Sequence, residues 1–175
     1  MVISPATDRQ IRKIRKLYVS AFPKSERKPF CLIKRKATQG KMEILAITEN
    51  GFAGLAIMMF YKDMALLDYF AIDPERRSGG LGSKALKVLS DMYSDRRLFL
   101  EIELPDGSDS DEIKRRRKAF YLRNGLVEAN FKADLFGVPM EMLTFGCKIS
   151  EEEYFGIYKN VFGSMFSNKI KLIKD

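Results

Sequence analysis

The strongest chemical signal in the sequence is the run Arg76, Arg77, Ser78, Gly79, Gly80, Leu81, Gly82 and Ser83, followed by apolar residues at helical spacing. Amides in the first turn of a helix have no intrahelical partner and sit at the positive end of its dipole, so a glycine-rich entry forms a phosphate cradle. Gly79, Gly80 and Gly82 permit close approach, and Arg76 and Arg77 add positive charge. Three glycines alone also fit a plain turn ahead of an amphipathic helix. The chain contains no histidine. That removes Ser/His/Asp and Cys/His nucleophiles and most zinc or non-haem iron sites, leaving a carboxylate, Tyr, Lys or water as general base and no metal expected.

The elements that must position this segment follow from periodicity. Ile11, Ile14, Leu17 and Tyr18 define an amphipathic helix over Asp8 to Ser20, and a second helix is predicted from Phe30 to Ala37 after the turn PKSERKP. KMEILAITEN and FAGLAIMMFY, joined at Asn50-Gly51, read as a β-hairpin. Lys62-Asp63 then reverses the chain into MALLDYFAI. Ala85, Leu86, Val88, Leu89 and Met92 mark one face of the helix after the glycines. LFLEIEL then alternates, with Phe99, Glu101 and Glu103 on one side. The helix EIKRRRKAFYLRN is predicted to bury Ile113 and Phe120 and to close at Gly125 in a left-handed cap. ANFKADLF and PMEMLTFGCKI read as strands, and Ser150 with Glu153 forms a capping box for a terminal helix.

At 175 residues with 46% hydrophobic residues the chain reads as one domain: N-terminal helices over about 8–38, a core over about 41–148, and a C-terminal helix and tail over about 150–175. Cys31 and Cys147 are too few for a disulfide framework, and no stretch is long and apolar enough to span a bilayer. The expectation is a soluble cytoplasmic protein with no membrane partner, monomer or homodimer. A net charge of +8 favours anionic partners. The run Lys114 to Lys118 lacks interleaved aromatics and follows Asp111 and Glu112, so it complements its helix dipole and no nucleic acid is expected.

Two phosphate-binding motifs compete for the glycines. A Walker A loop fails because no Gly-Lys-Ser/Thr follows. Gly80-x-Gly82-x-x-Ala85, with Glu101 downstream, fits a dinucleotide fingerprint formally, but DPERRSG separates it from its strand, antiparallel strands precede it, and no further βαβ units follow. The stretch LLDYFAIDPERRSGGLGSKAL instead resembles the acetyl-CoA-binding motif of the GNAT N-acetyltransferase superfamily, with Arg77, Gly80 and Gly82 at its marked positions. AFYLRNGL is similar to that family's later Phe-Tyr-x-x-x-Gly-Phe pattern, with Leu126 in place of the last Phe.

The resemblance implies an α+β fold with a mixed sheet: N-terminal helices, antiparallel strands leading into a central β-α-β with splayed strands, then a helix and C-terminal strands. It implies acetyl-CoA as cosubstrate, its arm on the backbone of Phe70, Ala71 and Ile72, its pyrophosphate on the amides from Ser78 to Ser83, and direct transfer to a primary amine of a small molecule, peptide or protein. Tyr121 matches the position of the acid that protonates the thiolate; helix geometry alone makes it a core aromatic beside Phe120. For the base, Glu103 and Glu101 lie about 7 Å apart on one side of a strand, where repulsion can raise one pKa, and they rank ahead of Asp68. Alternating acids also fit a solvated strand face. The resemblance implies that acceptor groups come from the N-terminal helices and loops, with Glu26 and Arg27, in the turn between the first helices, as candidates. The alternative is a catalytically silent acyl-CoA sensor or scaffold of the same fold.

Overall fold

The computed structural model describes residues 1–77, 79–105, 107 and 111–173. Among them lie eight strands and six helices. The chain clusters into two compact units, Met1–Phe60 with Leu67–Tyr93, and Tyr61–Leu66 with the chain from Ser94 onward.

The first unit begins with a short strand, β1 (Val2–Pro5), that periodicity did not predict. Helix α1 (Asp8–Ala21) starts in a capping box: the Thr7 hydroxyl accepts from Gln10 N while the Gln10 side chain accepts from Thr7 N. Its buried residues Ile14, Leu17 and Tyr18 are the predicted apolar stripe. Helix α2 (Phe30–Thr38) starts at Pro29. Strands β2 (Met42–Thr48) and β3 (Phe52–Tyr61) form the predicted antiparallel hairpin, with Asn50 and Gly51 at φ 51° and 109° in its turn. The following turn places Lys62 at φ 52° ahead of β4 (Met64–Ile72). The strand order here is β1-β2-β3-β4. Residues of both faces of β2 are buried, α2 lies against it, and helix α3 (Leu81–Met92) touches β1. Met58 and Met59 are core residues.

In the second unit, strands β5 (Arg97–Glu103), β6 (Val127–Leu135), β7 (Val138–Thr144) and β8 (Ile170–Ile173) run in the order β5-β7-β6-β8 with antiparallel pairing. Helix α4 (Asp111–Arg123) connects β5 to β6, and Gly125 after it has φ 87°, as predicted. Helix α5 (Glu151–Phe162) opens on the predicted Ser150/Glu153 capping box. The short α6 (Ser164–Ser167) and β8 follow it; periodicity missed both because four residues carry too little of either period.

One expectation for α4 is overturned. Ile113 is 62% exposed, and the inner face is Asp111, Lys114, Lys118 and Tyr121, spaced three, four and three residues apart. Lys114 Nζ lies 3.4 Å from Glu103 Oε2, and Lys118 Nζ lies 2.7 Å from Glu141 Oε2 and 2.8 Å from Glu128 Oε1. A pattern of apolar residues cannot find a face whose contacts are ionic.

Candidate functional site

Strand β4 ends at Ile72, and Asp73 caps the single turn Pro74–Arg76, its Oδ1 accepting from Glu75 N at 3.2 Å. Arg76 donates to the carbonyls of Glu49 (2.5 Å) and Asn50 (3.3 Å), and Arg77 Nε to that of Ile72 (3.1 Å). The two arginines thus fasten the segment to the hairpin turn and to its own strand. Gly79 and Gly80 follow in left-handed backbone, φ 78° and 74°, which any other residue adopts only with strain. A Cβ at either would meet nothing within 4 Å. Within the chain itself, conformation and not crowding is therefore what calls for glycine.

Gly80 is the N-cap of α3 and supplies no side-chain cap, whereas α1 and α5 both have capping boxes. Lys84 N bonds back to Gly80 O at 3.0 Å, so the amides of Leu81, Gly82 and Ser83 precede the first helical bond. Such an entry suits the anionic oxygens of a pyrophosphate. Lys84 is itself held by Glu49 at 2.5 Å, a contact that keeps the half-buried Glu49 carboxyl down at about 2. Ser78 lies outside the described residues.

The strand that leads into the cradle is positioned by a glycine the sequence reading did not single out. A Cβ on Gly54 would stand 2.4 Å from the Ala71 carbonyl oxygen, closer than real contacts allow. An isolated glycine inside a strand pattern was the available signal. It lets the backbone around Ala71 and Ile72, both buried, close onto β3; Phe70 is half-buried.

Two residues before Phe70, Asp68 is a buried carboxylate. Lys28 Nζ lies 2.6 Å from its Oδ1, with the two side chains 7% and 1% exposed. Its Oδ2 is buried without a hydrogen-bond partner among the described residues. Burial pushes the Asp68 carboxyl up, and the Lys28 charge opposes this without cancelling it. The segment carrying Lys28 is fixed by two tyrosines: Tyr69 Oη donates to Glu26 O (2.7 Å) and accepts from Lys28 N (3.0 Å), and Tyr18 Oη donates to Lys28 O (2.9 Å). Tyr18, Tyr69, Phe22 and Phe30 pack ring against ring around it.

In the second unit, Glu101 accepts hydrogen bonds from both Tyr154 (2.6 Å) and Tyr158, two buried tyrosines one turn apart on α5. Glu103 stands against Lys114. The acids are therefore engaged and do not form a solvated face. Tyr121 is buried, and desolvation pushes its hydroxyl up to about 12, with Arg117 opposing. The aromatic ring packs edge-on against Phe120 at 5.2 Å.

No protein-family model matches the sequence, and no curated protein matches it either. Solved structures do. A protein from the GNAT family of acetyltransferases in Bacteroides thetaiotaomicron superposes with TM-score 0.77 at 21% identity, covering 94% of this chain and 99% of the other. An aminoglycoside 6'-N-acetyltransferase complexed with coenzyme A gives 0.65 at 13% identity over 86% and 100%. The ribosomal-protein-S18-alanine N-acetyltransferase of Escherichia coli gives 0.57 at 24% identity over 86% and 96%. The fold of this chain, with its helix entry lined by Gly79 and Gly80, is the fold of the GNAT acetyltransferases.

Proposed function

We propose that the chain is an acyl-CoA-dependent N-acyltransferase that moves the acetyl group of acetyl-CoA directly to a primary amine of a small molecule, peptide or protein. The observation that carries this reading is the start of α3: a left-handed Gly79-Gly80 entry, without a side-chain cap, in a GNAT fold. Support also comes from the similar structures, which include enzymes named for aminoglycoside, spermidine and ribosomal-protein-alanine N-acetylation, all of them amines.

In this reading the amides from Ser78 to Ser83 receive the pyrophosphate, Arg76 and Arg77 brace the turn, and the backbone of Phe70, Ala71 and Ile72 receives the arm. The thioester supplies an activated acetyl group and a thiolate leaving group. Tyr121, a phenol that is protonated at neutral pH, serves as the proton donor. Of the three carboxylates proposed as base, Asp68 has the strongest support, ahead of Glu103 and Glu101. Burial raises its pKa, and its Oδ2 has no hydrogen-bond partner among the described residues, while Glu101 serves two tyrosine hydroxyls and Glu103 faces Lys114.

Thermal unfolding with and without acetyl-CoA is the first test. Ligand at a hundred times its Kd stabilises by about 2.7 kcal/mol, which for a chain of this size is a rise of roughly 5–10 °C. Thiol release across a panel of amines then separates an enzyme from a silent acyl-CoA sensor. Gly80→Glu and Gly82→Glu put negative charge into the cradle and weaken acetyl-CoA binding by about tenfold or more. Unchanged affinity in both would show that the cradle lies elsewhere. Tyr121→Phe slows turnover without abolishing it, because a thiolate of lower pKa than tyrosine leaves partly unaided.

A further inference from the structure

The positive charge of this protein is concentrated in one stretch. From Asp8 to Thr38, the span of α1, its connection and α2, there are 11 Lys or Arg against 2 acids, a net +9. The other 144 residues hold 20 cations and 21 acids, a net −1, so this stretch supplies the whole excess of +8. On α1, Arg9, Arg12, Lys13 and Lys16 form a stripe at helical spacing opposite the buried Ile14, Leu17 and Tyr18, with Arg15 beside it. All five are exposed, and none has an ion-pair partner among the described residues. Like charges three and four residues apart repel, and of these five Lys13 has a counter-contact, its Nζ 6.0 Å from the Phe52 ring centroid. Lys34 and Arg35 continue the exposed positive surface on α2. Crowding by Lys41 and Arg35 adds to desolvation in pushing the Lys36 ammonium below its usual range.

A second, independent observation lies in the connecting segment. Arg27 Nε is a buried donor with no acceptor among the described residues. An orphaned guanidinium N–H is costly unless a ligand completes it, and the fork of a guanidinium matches a carboxylate. This segment is fastened to β4 at Asp68 and Tyr69, immediately before the strand residues assigned to the cosubstrate arm.

We propose that α1, the connecting segment and α2 form a recognition surface for an acidic polypeptide segment that flanks the acceptor amine, with Arg27 anchoring one of its carboxylates. The inference rests on the acyl-transfer reading and names its acceptor class. A polypeptide fits better than a nucleic acid for two reasons. Nucleic acids carry no basic aliphatic amine to acylate, and Phe22 and Phe30 are half-buried against Tyr18 and so offer no stacking platform. A membrane surface fits poorly because the apolar face of α1 is already buried in the protein. The stripe from Arg9 to Lys16 spans about 10 Å of helix, the reach of roughly three extended peptide residues, so acidic side chains in close succession match it. Polycationic amines are disfavoured by the same charge.

The test compares three short peptides that share one free amine and differ in the residues after it: a run of glutamates, of glutamines or of lysines. With full-length protein, the glutamate peptide has a KM about tenfold below that of the glutamine peptide at low salt, and the gap closes at about 0.5 M salt. Arg12→Glu/Arg15→Glu/Lys16→Glu abolishes the gap while leaving the KM for acetyl-CoA and the turnover of the glutamine peptide unchanged. Arg27→Gln narrows it. Anisotropy of a labelled glutamate peptide on the wild-type protein reads the same preference without any variant having to fold. Equal KM values for the three peptides, or a preference for lysines, overturn the inference while the acyl-transfer reading stands. Tighter binding of RNA or of anionic vesicles with no peptide preference also overturns it. Absence of CoA release from every peptide and amine instead overturns the acyl-transfer reading on which it rests.

Discussion

The Lys28–Asp68 pair allows a stability experiment whose pH dependence changes with the partner removed. The two side chains are nearly inaccessible, 7% and 1% exposed, and meet at 2.6 Å, so removing one leaves the other as a buried charge stripped of its ion-pair partner. Breaking a buried pair from one side destabilises by about 3–5 kcal/mol. At roughly 2–4 °C per kcal/mol for a chain of this size, each single variant melts about 6–20 °C below wild type near neutral pH.

The pH dependence separates the two variants. In Lys28→Met the Asp68 carboxylate loses the charge that opposes its desolvation, so its folded pKa rises further above the unfolded value. Stability is then retained below the unfolded pKa and lost as pH rises through the folded one, and the deficit against wild type grows from acid to neutral pH. In Asp68→Asn no carboxyl remains to titrate at this position, so the deficit does not grow in that way from acid to neutral pH. Lys28→Met/Asp68→Leu, which removes both charges, recovers most of the loss. Melting followed by circular dichroism from pH 4 to pH 9 reads all three. Single variants within about 1 kcal/mol of wild type, with parallel pH profiles, would mean that the pair is screened like a surface contact and would refute the reasoning.

Two further outcomes are open to direct measurement. Gly54→Ala places a methyl group 2.4 Å from the Ala71 carbonyl, so β3 or β4 must shift; the expected result is a loss of about 1–3 kcal/mol with weakened acetyl-CoA affinity, and wild-type values for both would show that the close approach is not needed. Arg97 Nε and Nη2 bind Asp63 at 2.7 and 2.9 Å, its Nη1 and Nη2 bind Glu153 at 2.9 and 2.6 Å, and both carboxyls are held down at about 2, chiefly by these contacts. Depressed carboxyl groups give stability that is present above their unfolded pKa values and lost as pH falls from about 4 towards 2, so Arg97→Met should lower melting at pH 7 and flatten that acid limb. A limb of unchanged steepness assigns the acid sensitivity to other groups.

Sequence reading succeeded where one residue type has one physical use, and failed where two distant residues share a task. The glycine-rich entry to α3 at Gly79 and Gly80, the left-handed cap at Gly125, the capping box at Ser150, and the hairpin around Asn50-Gly51 are local, and each was visible within a few residues of chain. Asp68 shows the opposite case. Its apolar neighbours marked it as odd, yet its partner Lys28 stands forty residues earlier in a turn with no periodicity, so the ion pair could not be read from the sequence. Helix α4 fails in the same way, because its inner positions are Asp111, Lys114, Lys118 and Tyr121, and their ionic contacts leave no apolar stripe to detect. Hydrophobic pattern locates a face by what water rejects. A face built of paired charges is invisible to it, and here that is the face that carries Tyr121.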